Sequence, residues 1–314
     1  MNYHSPRSSL NSKLGVAFGT SFVEAPARQN SLLGTAECSG IGVHSGEKVT
    51  LRIKPAPVNS GIIFVRTDIT KGMREIPAHW DHVVDTKLCT VIGNKAGVKV
   101  ATIEHLMAAL NAYGITNAVI EIDGAEVPVM DGSADSFVFL IEMAGIAQQT
   151  APRQTIEILT PIEVTHQGKS ARLTPALDST FSFDIAFEQA PIAQQSYSFT
   201  LSADAFKSEI SRARTFGFFE DVDQLRKAGL ALGGSLDNAV VIKDRHVMNE
   251  DGLRYGDEFV RHKLLDAIGD LALAGAAIRG HFHGSCSGHA LNNQLLRALF
   301  ADTSAWRYVN DSQN

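Results

Sequence analysis

Two short polar stretches, far apart in the chain, constrain this fold more than anything else in it. They are Thr102-Ile103-Glu104-His105-Leu106 and His262-Lys263-Leu264-Leu265-Asp266. The second reads as helix, where residues four apart project from one face, so His262 and Asp266 point the same way. The first sets a carboxylate beside an imidazole at a helix start. Two imidazoles and one carboxylate can make an open zinc site, and a second carboxylate is left to act as base. If these residues act together, the fold must join two distant helices, and the chain is a metal-dependent hydrolase.

At 314 residues the chain is long for one core, and two domains are expected. A hydrophobic fraction of 44% and a charged fraction of 20% are ordinary for a soluble enzyme. The net charge of -6 argues against a nucleic-acid partner, whose footprint would be basic. Cys38, Cys89 and Cys286 are odd in number and scattered, so neither a disulfide framework nor a thiolate metal site is read. Such thiols fit a reducing compartment, the cytoplasm. No apolar run approaches the roughly 20 residues that span a bilayer. Residues 1–30 are serine-rich, with Arg7, Lys13 and Arg28 against Glu24. They read as a disordered tail, and their composition also suits an organellar transit peptide.

The expected class is α+β. Strands are read at Lys48–Lys54, Gly61–Arg66, Lys87–Ile92 and Ala118–Ile122, with helices from an N-cap at Thr102 to Gly114 and over Ser136–Ala144. The apolar pattern lapses around Ala147–Arg153, where we place the domain boundary, giving units of 31–150 and 151–314. Later strands are read at Ile156–Val164, Ser170–Pro175, Thr180–Phe187 and Ala239–Ile242, with helices at Ala203–Arg212 and Asp257–Ala274 and a strand, loop and helix over His281–Phe300. The order of elements suggests a duplicated sheet with two helices.

Along the Asp257–Ala274 helix, His262, Asp266, Gly269, Asp270 and Leu273 share one side, and Val260, Leu264, Leu265, Ile268 and Leu271 the other. Taken alone, that is a solvated polar face over an apolar one. Gly269 on the polar side marks a place where a backbone could approach. The first-turn position of Glu104-His105 favours an anionic carboxylate and a neutral imidazole, the form that ligates a metal. His281 and His283 alternate on a strand and are a second candidate pair of ligands. His289 follows a glycine that lets the backbone turn and present the ring. Gly229–Ser235 is neither a P-loop nor a dinucleotide fingerprint, and its small apolar residues suit a channel wall.

Together these stretches resemble the UDP-3-O-acyl-N-acetylglucosamine deacetylases, zinc enzymes of lipid A biosynthesis. The matching pieces run in order: Gly40–Gly46, Thr102–Leu110, Val127–Ser133, Ala213–Phe218, Gly233-Gly234-Ser235, Asn249–Leu271 and Ser287–Asn293. The resemblance implies two similar domains, each a sheet layered on helices, with small inserts shaping the site. It implies zinc on His105, His262 and Asp266, a set that iron(II) also suits. Glu104 becomes the general base, and His289, supported by Asp270, the acid to the leaving amine. Thr215 would hydrogen-bond the oxyanion, and Lys263 would contact substrate beside the metal. Phe216, Lys169, Cys89 and Gly234 are carried over as substrate contacts, and an insert at about 217–245 lines a passage for the acyl chain. The substrate is an acylated UDP-glucosamine derivative, the family analogy implies a monomer, and no fused dehydratase domain is expected after Trp306. Two rival readings are a zinc amidohydrolase for another acylated sugar and a non-catalytic ligand-binding relative.

Overall fold

A computed structural model describes residues 27–187 and 194–310. Most of the 1–30 stretch lies outside the described residues, but Arg28–Leu32 is a strand, paired antiparallel with Ile146–Pro152. The stretch where the apolar pattern lapses is therefore itself strand.

The two halves repeat one topology. In the first, Ala36–Ile41 and Lys48–Pro55 form an antiparallel hairpin, and Lys48–Pro55 pairs antiparallel with Ala118–Ile122. On its other side Ala118–Ile122 runs parallel to Ile62–Arg66, which pairs with Glu75–Pro77. In the second, Ile162–His166, Lys169–Thr174, Ala277–Ser285, Ser179–Ala186 and Gln194–Thr200 make the same five-strand pattern with the same directions. Each half places a core helix directly before its central strand and another after it. These are Glu104–Ala112 and Asp135–Ala144 in the first half, and Glu258–Ala272 and His289–Ala301 in the second. Each half also carries a small three-stranded insert ahead of the helix that leads into its central strand: Val83–Asp85, Val91–Gly93 and Lys99–Val100, and Phe216–Phe218, Val240–Lys243 and His246–Val247. Among the described residues no helix is long and apolar enough to cross a membrane.

The two helices that precede the central strands pack against each other. Both are therefore buried nearly all round. In Glu258–Ala272 the polar side expected to face solvent is covered, with His262, Asp266, Gly269 and Asp270 as buried as Leu264, Leu265 and Ile268. Gly269 explains how closely the helices approach. A Cβ there would lie 2.0 Å from the carbonyl oxygen of Glu104 and 3.0 Å from its Cα.

Local departures from expectation have local causes. Thr102 is not the helix cap. Its φ is +57°, the cap position falls on Ile103, and the Thr102 hydroxyl donates instead to Glu126 Oε1 at 2.9 Å. Leu88, with φ of +69°, breaks the expected Lys87–Ile92 strand, which begins only at Val91. Pro161 splits Ile156–Val164 into Gln154–Ile158 and Ile162–His166, since proline cannot donate to a ladder. Ala203–Arg212 is a short helix that widens to a π-turn over Phe206–Ile210.

Gly269→Ala should force the two helices apart. The expected cost is about 1–3 kcal/mol in chemical denaturation, the range for overpacking a tight contact. An unchanged denaturation midpoint would show that the helices tolerate separation.

Candidate metal centre

The close crossing sets the N-terminus of Glu104–Ala112 against the middle of Glu258–Ala272, and the predicted ligands meet there. His105 Nε2 lies 3.6 Å and His262 Nε2 3.4 Å from Asp266 Oδ1, and the three donor atoms lie within 4.8 Å of one another. The imidazoles stand edge to face, 5.0 Å between centroids. His262 Nδ1 is 3.0 Å from the Ala213 carbonyl oxygen. That contact assigns the proton to Nδ1 and leaves the Nε2 lone pair for a ligand. Burial pushes His262 down to about 4, so the ring is neutral near pH 7. Burial opposes the charge on Asp266, but Lys263 and the neighbouring imidazoles outweigh it and hold the carboxyl well below its ordinary range. The Lys263 ammonium donates to Asp266 Oδ2 at 2.6 Å. An N₂O set of two imidazoles and one carboxylate fits a transition metal of the zinc kind, and it leaves coordination positions open.

Beside the donors sits a second group of buried polar residues. Glu104 Oε2 accepts from the Thr90 backbone N–H at 3.0 Å, and Oε1 lies 3.8 Å from His289 Nε2. Burial raises the Glu104 carboxyl above its ordinary value. His289 begins the His289–Ala301 helix, where the macrodipole disfavours a cation. Asp270 counters this: its Oδ2 lies 2.9 Å from His289 Nδ1 and also accepts from Asn292 Nδ2 at 2.8 Å. Its other oxygen accepts from the Thr90 hydroxyl. Burial lowers His289, yet Asp270 and Glu104 outweigh it and the ring rises to about 9.

These groups open into a cavity of about 640 Å³. Thr215, Lys263 and His289 are among its polar lining, and Phe218, Val222, Leu225 and Val241 among its apolar lining. Phe216 stands edge-on to His262 at 6.2 Å. Lys169 and Gly234 also line the cavity. Cys89 does not. It is 4% exposed and lies behind the site, beside Thr102 and Glu104, where burial pushes its thiol up to about 12. His281 and His283 do not join the donors either, because their Nε2 atoms engage Ser182 at 2.6 Å and Asp184 at 2.7 Å on the neighbouring strand Ser179–Ala186.

Some of the site carries no signal legible to spacing or periodicity. Glu126 accepts from His44 N at 2.9 Å, Ser45 N at 2.8 Å and Thr102 Oγ1 at 2.9 Å. A Cβ on Gly42 would fall 2.2 Å from its Oε2, which is why that loop needs glycine. The loop in turn holds the second insert, through Leu232 N to the His44 carbonyl and Gly233 N to the Val43 carbonyl, each at 3.1 Å. Arg214 and Glu258, both buried, are joined at 2.8 Å and fix the backbone beside Thr215.

The family described as UDP-3-O-acyl N-acetylglycosamine deacetylase matches residues 29–301. A protein of that kind from Chromohalobacter salexigens, a UDP-3-O-acyl-N-acetylglucosamine deacetylase, is 52% identical over 284 residues, 90% of this chain and 93% of its own. Namesakes from Idiomarina loihiensis and a Shewanella species are 50% and 51% identical, each over 90% of this chain and 92% of their own. With half its residues shared along nearly all of its length, this chain belongs to the UDP-3-O-acyl N-acetylglycosamine deacetylase family.

Proposed function

We propose that this protein removes the N-acetyl group from a UDP-3-O-acyl-N-acetylglucosamine, releasing acetate, in lipid A biosynthesis. One observation carries the reading. Three buried candidate metal donors, a carboxylate and a cationic imidazole meet in the lining of one largely apolar cavity. That arrangement suits a substrate with a reacting amide and an acyl chain.

His105, His262 and Asp266 hold the metal, which we take to be zinc. When bound, it supplies Lewis acidity at the amide carbonyl and eases ionisation of a water. The Glu104 carboxylate accepts the proton of the attacking water. The Thr215 hydroxyl donates to the developing oxyanion, and Lys263 adds positive charge beside it. As the C–N bond breaks, the His289 imidazolium gives its proton to the departing nitrogen, and Asp270 positions the ring. Water and amide thus become acetate and a free glucosamine amine. Phe216, Lys169 and Gly234 contact substrate along the cavity, and the insert at about 217–245 forms the wall of the acyl passage. We divide the chain into units of 31–150 and 151–314, place the protein in the cytoplasm with its three free thiols, and read it as a monomer.

Glu104→Gln should lower turnover by at least about 100-fold, the lower end for a general base, with bound metal unchanged. Elemental analysis beside acetate release separates the two, and undiminished release would remove Glu104 from the base role. Asp266→Ala should strip the metal, because an open site rests on three protein ligands. Retained zinc in that variant would move the ligand set elsewhere.

His289 supplies the pH test. Its folded value of about 9 lies above the ordinary 6.5. Protonation therefore favours the folded, metal-free protein fully below about 6.5, and that contribution is lost as pH rises through about 9. In the metal-free protein the His289 ring should titrate near 9 by NMR, and Asp270→Asn should move it down. A metal cation lowers the value by like-charge repulsion. In turnover His289 is the acid, so the alkaline limb of the rate profile should shift to lower pH in Asp270→Asn. A limb that stays in place would exclude this imidazole as the proton donor.

A further inference from the structure

A second convergence of nitrogen and oxygen donors lies away from the catalytic cavity. The turn His79-Trp80-Asp81-His82 joins the edge strand Glu75–Pro77 to the first insert. His79 Nδ1 lies 2.6 Å and His82 Nδ1 2.7 Å from the same Asp81 oxygen, Oδ1. One donor atom from each of the three residues lies within 4.8 Å of the others. The side chains are 37%, 48% and 33% exposed, so the group is open to ions from solvent. His79 and His82 also border a second cavity of about 540 Å³.

The backbone beneath this cluster is held from both halves of the molecule. Trp80 N donates to the Leu273 carbonyl at 2.8 Å, and the Trp80 carbonyl accepts from Asn293 Nδ2 at 3.0 Å. The Trp80 indole stacks on Phe300, with centroids 5.1 Å apart and planes 12° from parallel. Ala78 N donates to the Ile62 carbonyl at 2.9 Å on the other side. A turn fixed this way keeps two imidazoles on one carboxylate oxygen, so little ordering remains for a ligand to impose.

We propose that His79, Asp81 and His82 form a second, exchangeable site for a divalent transition metal. The donor set repeats that of the catalytic centre, two imidazoles and one carboxylate, and so selects the zinc, copper and nickel class over calcium or magnesium. When an ion enters, a ring that holds a proton on Nδ1 toward Asp81 gives up that position, so that the nitrogen lone pair faces the metal. Water completes the coordination.

The test uses the full chain already carrying one equivalent of zinc, titrated with further Zn²⁺ by calorimetry and checked by elemental analysis. The expected result is one additional equivalent. The double variant His79→Gln/His82→Gln should keep the first equivalent and the wild-type acetate release but lose the additional one. Asp81→Asn, which leaves both rings in place, should lose it too. The proposal is overturned if the loaded chain takes up no further zinc. It is equally overturned if these variants, folded by their unchanged first equivalent, still bind the additional ion. Because Asp266→Ala would abolish only the first equivalent, failure of this site and failure of the catalytic reading give different stoichiometries.

Discussion

The contact between the Glu104 backbone and Gly269 is the constraint on which the rest of this molecule depends. With no side chain at Gly269, the helix Glu104–Ala112 lies against the helix Glu258–Ala272 with main chain touching main chain. Asp266 lies three residues and Leu265 four residues before Gly269, on the i, i+3 and i, i+4 rows, and Asp270 follows it directly. The same contact therefore brings His105 within reach of Asp266 and Glu104 within reach of the Asp270–His289 pair. The two helices hold equivalent places in the repeated halves, each preceding its central strand. A duplicated fold thus builds one centre where its copies meet, and neither half holds a complete donor set by itself.

The electrostatics of that meeting point explain why a cation belongs there. Glu104, Asp266 and Asp270 are three carboxylates, each 4% exposed or less. Against them stand Lys263 and the His289 imidazolium. Isolated buried charges are costly, and unlike charges at contact distance offset only part of that cost. The protein responds by tuning its own groups. It raises Glu104 through burial, raises His289 against burial through Asp270, and keeps His262 neutral. The result is a set of proton donors and acceptors gathered in one small volume, with Glu104 3.8 Å from His289, beside the candidate ligands His105, His262 and Asp266.

How much of this is legible in the sequence depends on the range of the interaction. The ligand spacing on Glu258–Ala272 is a local property of helix geometry, so His262 and Asp266 are found from periodicity, and Gly269 stands out on the same face. What covers that face is not local. The partner helix lies in the other half of the chain, so a buried polar surface reads as a solvated one. Strands such as Ala36–Ile41, Gln194–Thr200 and Trp306–Asn310 escape notice because their half-buried, polar patterns carry little apolar alternation. The helix Phe219–Lys227 is hidden for the same reason, since none of its residues is buried in the core. Leu88 and Thr102 adopt left-handed backbone that their residue types disfavour, which no propensity predicts.

Several stretches that carry the family resemblance turn out to be clamps around the centre as well as chemistry within it. Asp131 in the Asp-Gly-Ser turn accepts from Arg254 at 2.7 Å, tying the first half to the loop before the long helix. Glu258, the first residue of that helix, takes the Arg214 guanidinium and so sets the entry to Thr215 and Phe216. Glu126 gathers two amides and a hydroxyl from the glycine loop and from Thr102. A buried carboxylate with several well-aimed donors is rigid, because loosening any one of them leaves charge unsatisfied in a low-dielectric setting. Each clamp also reaches across elements that are distant in sequence. Their combined effect is to hold the ends of both central helices and the root of the second insert in one frame. Positioning of that kind is what lets Thr215 and His289 line the same cavity as His105, His262 and Asp266.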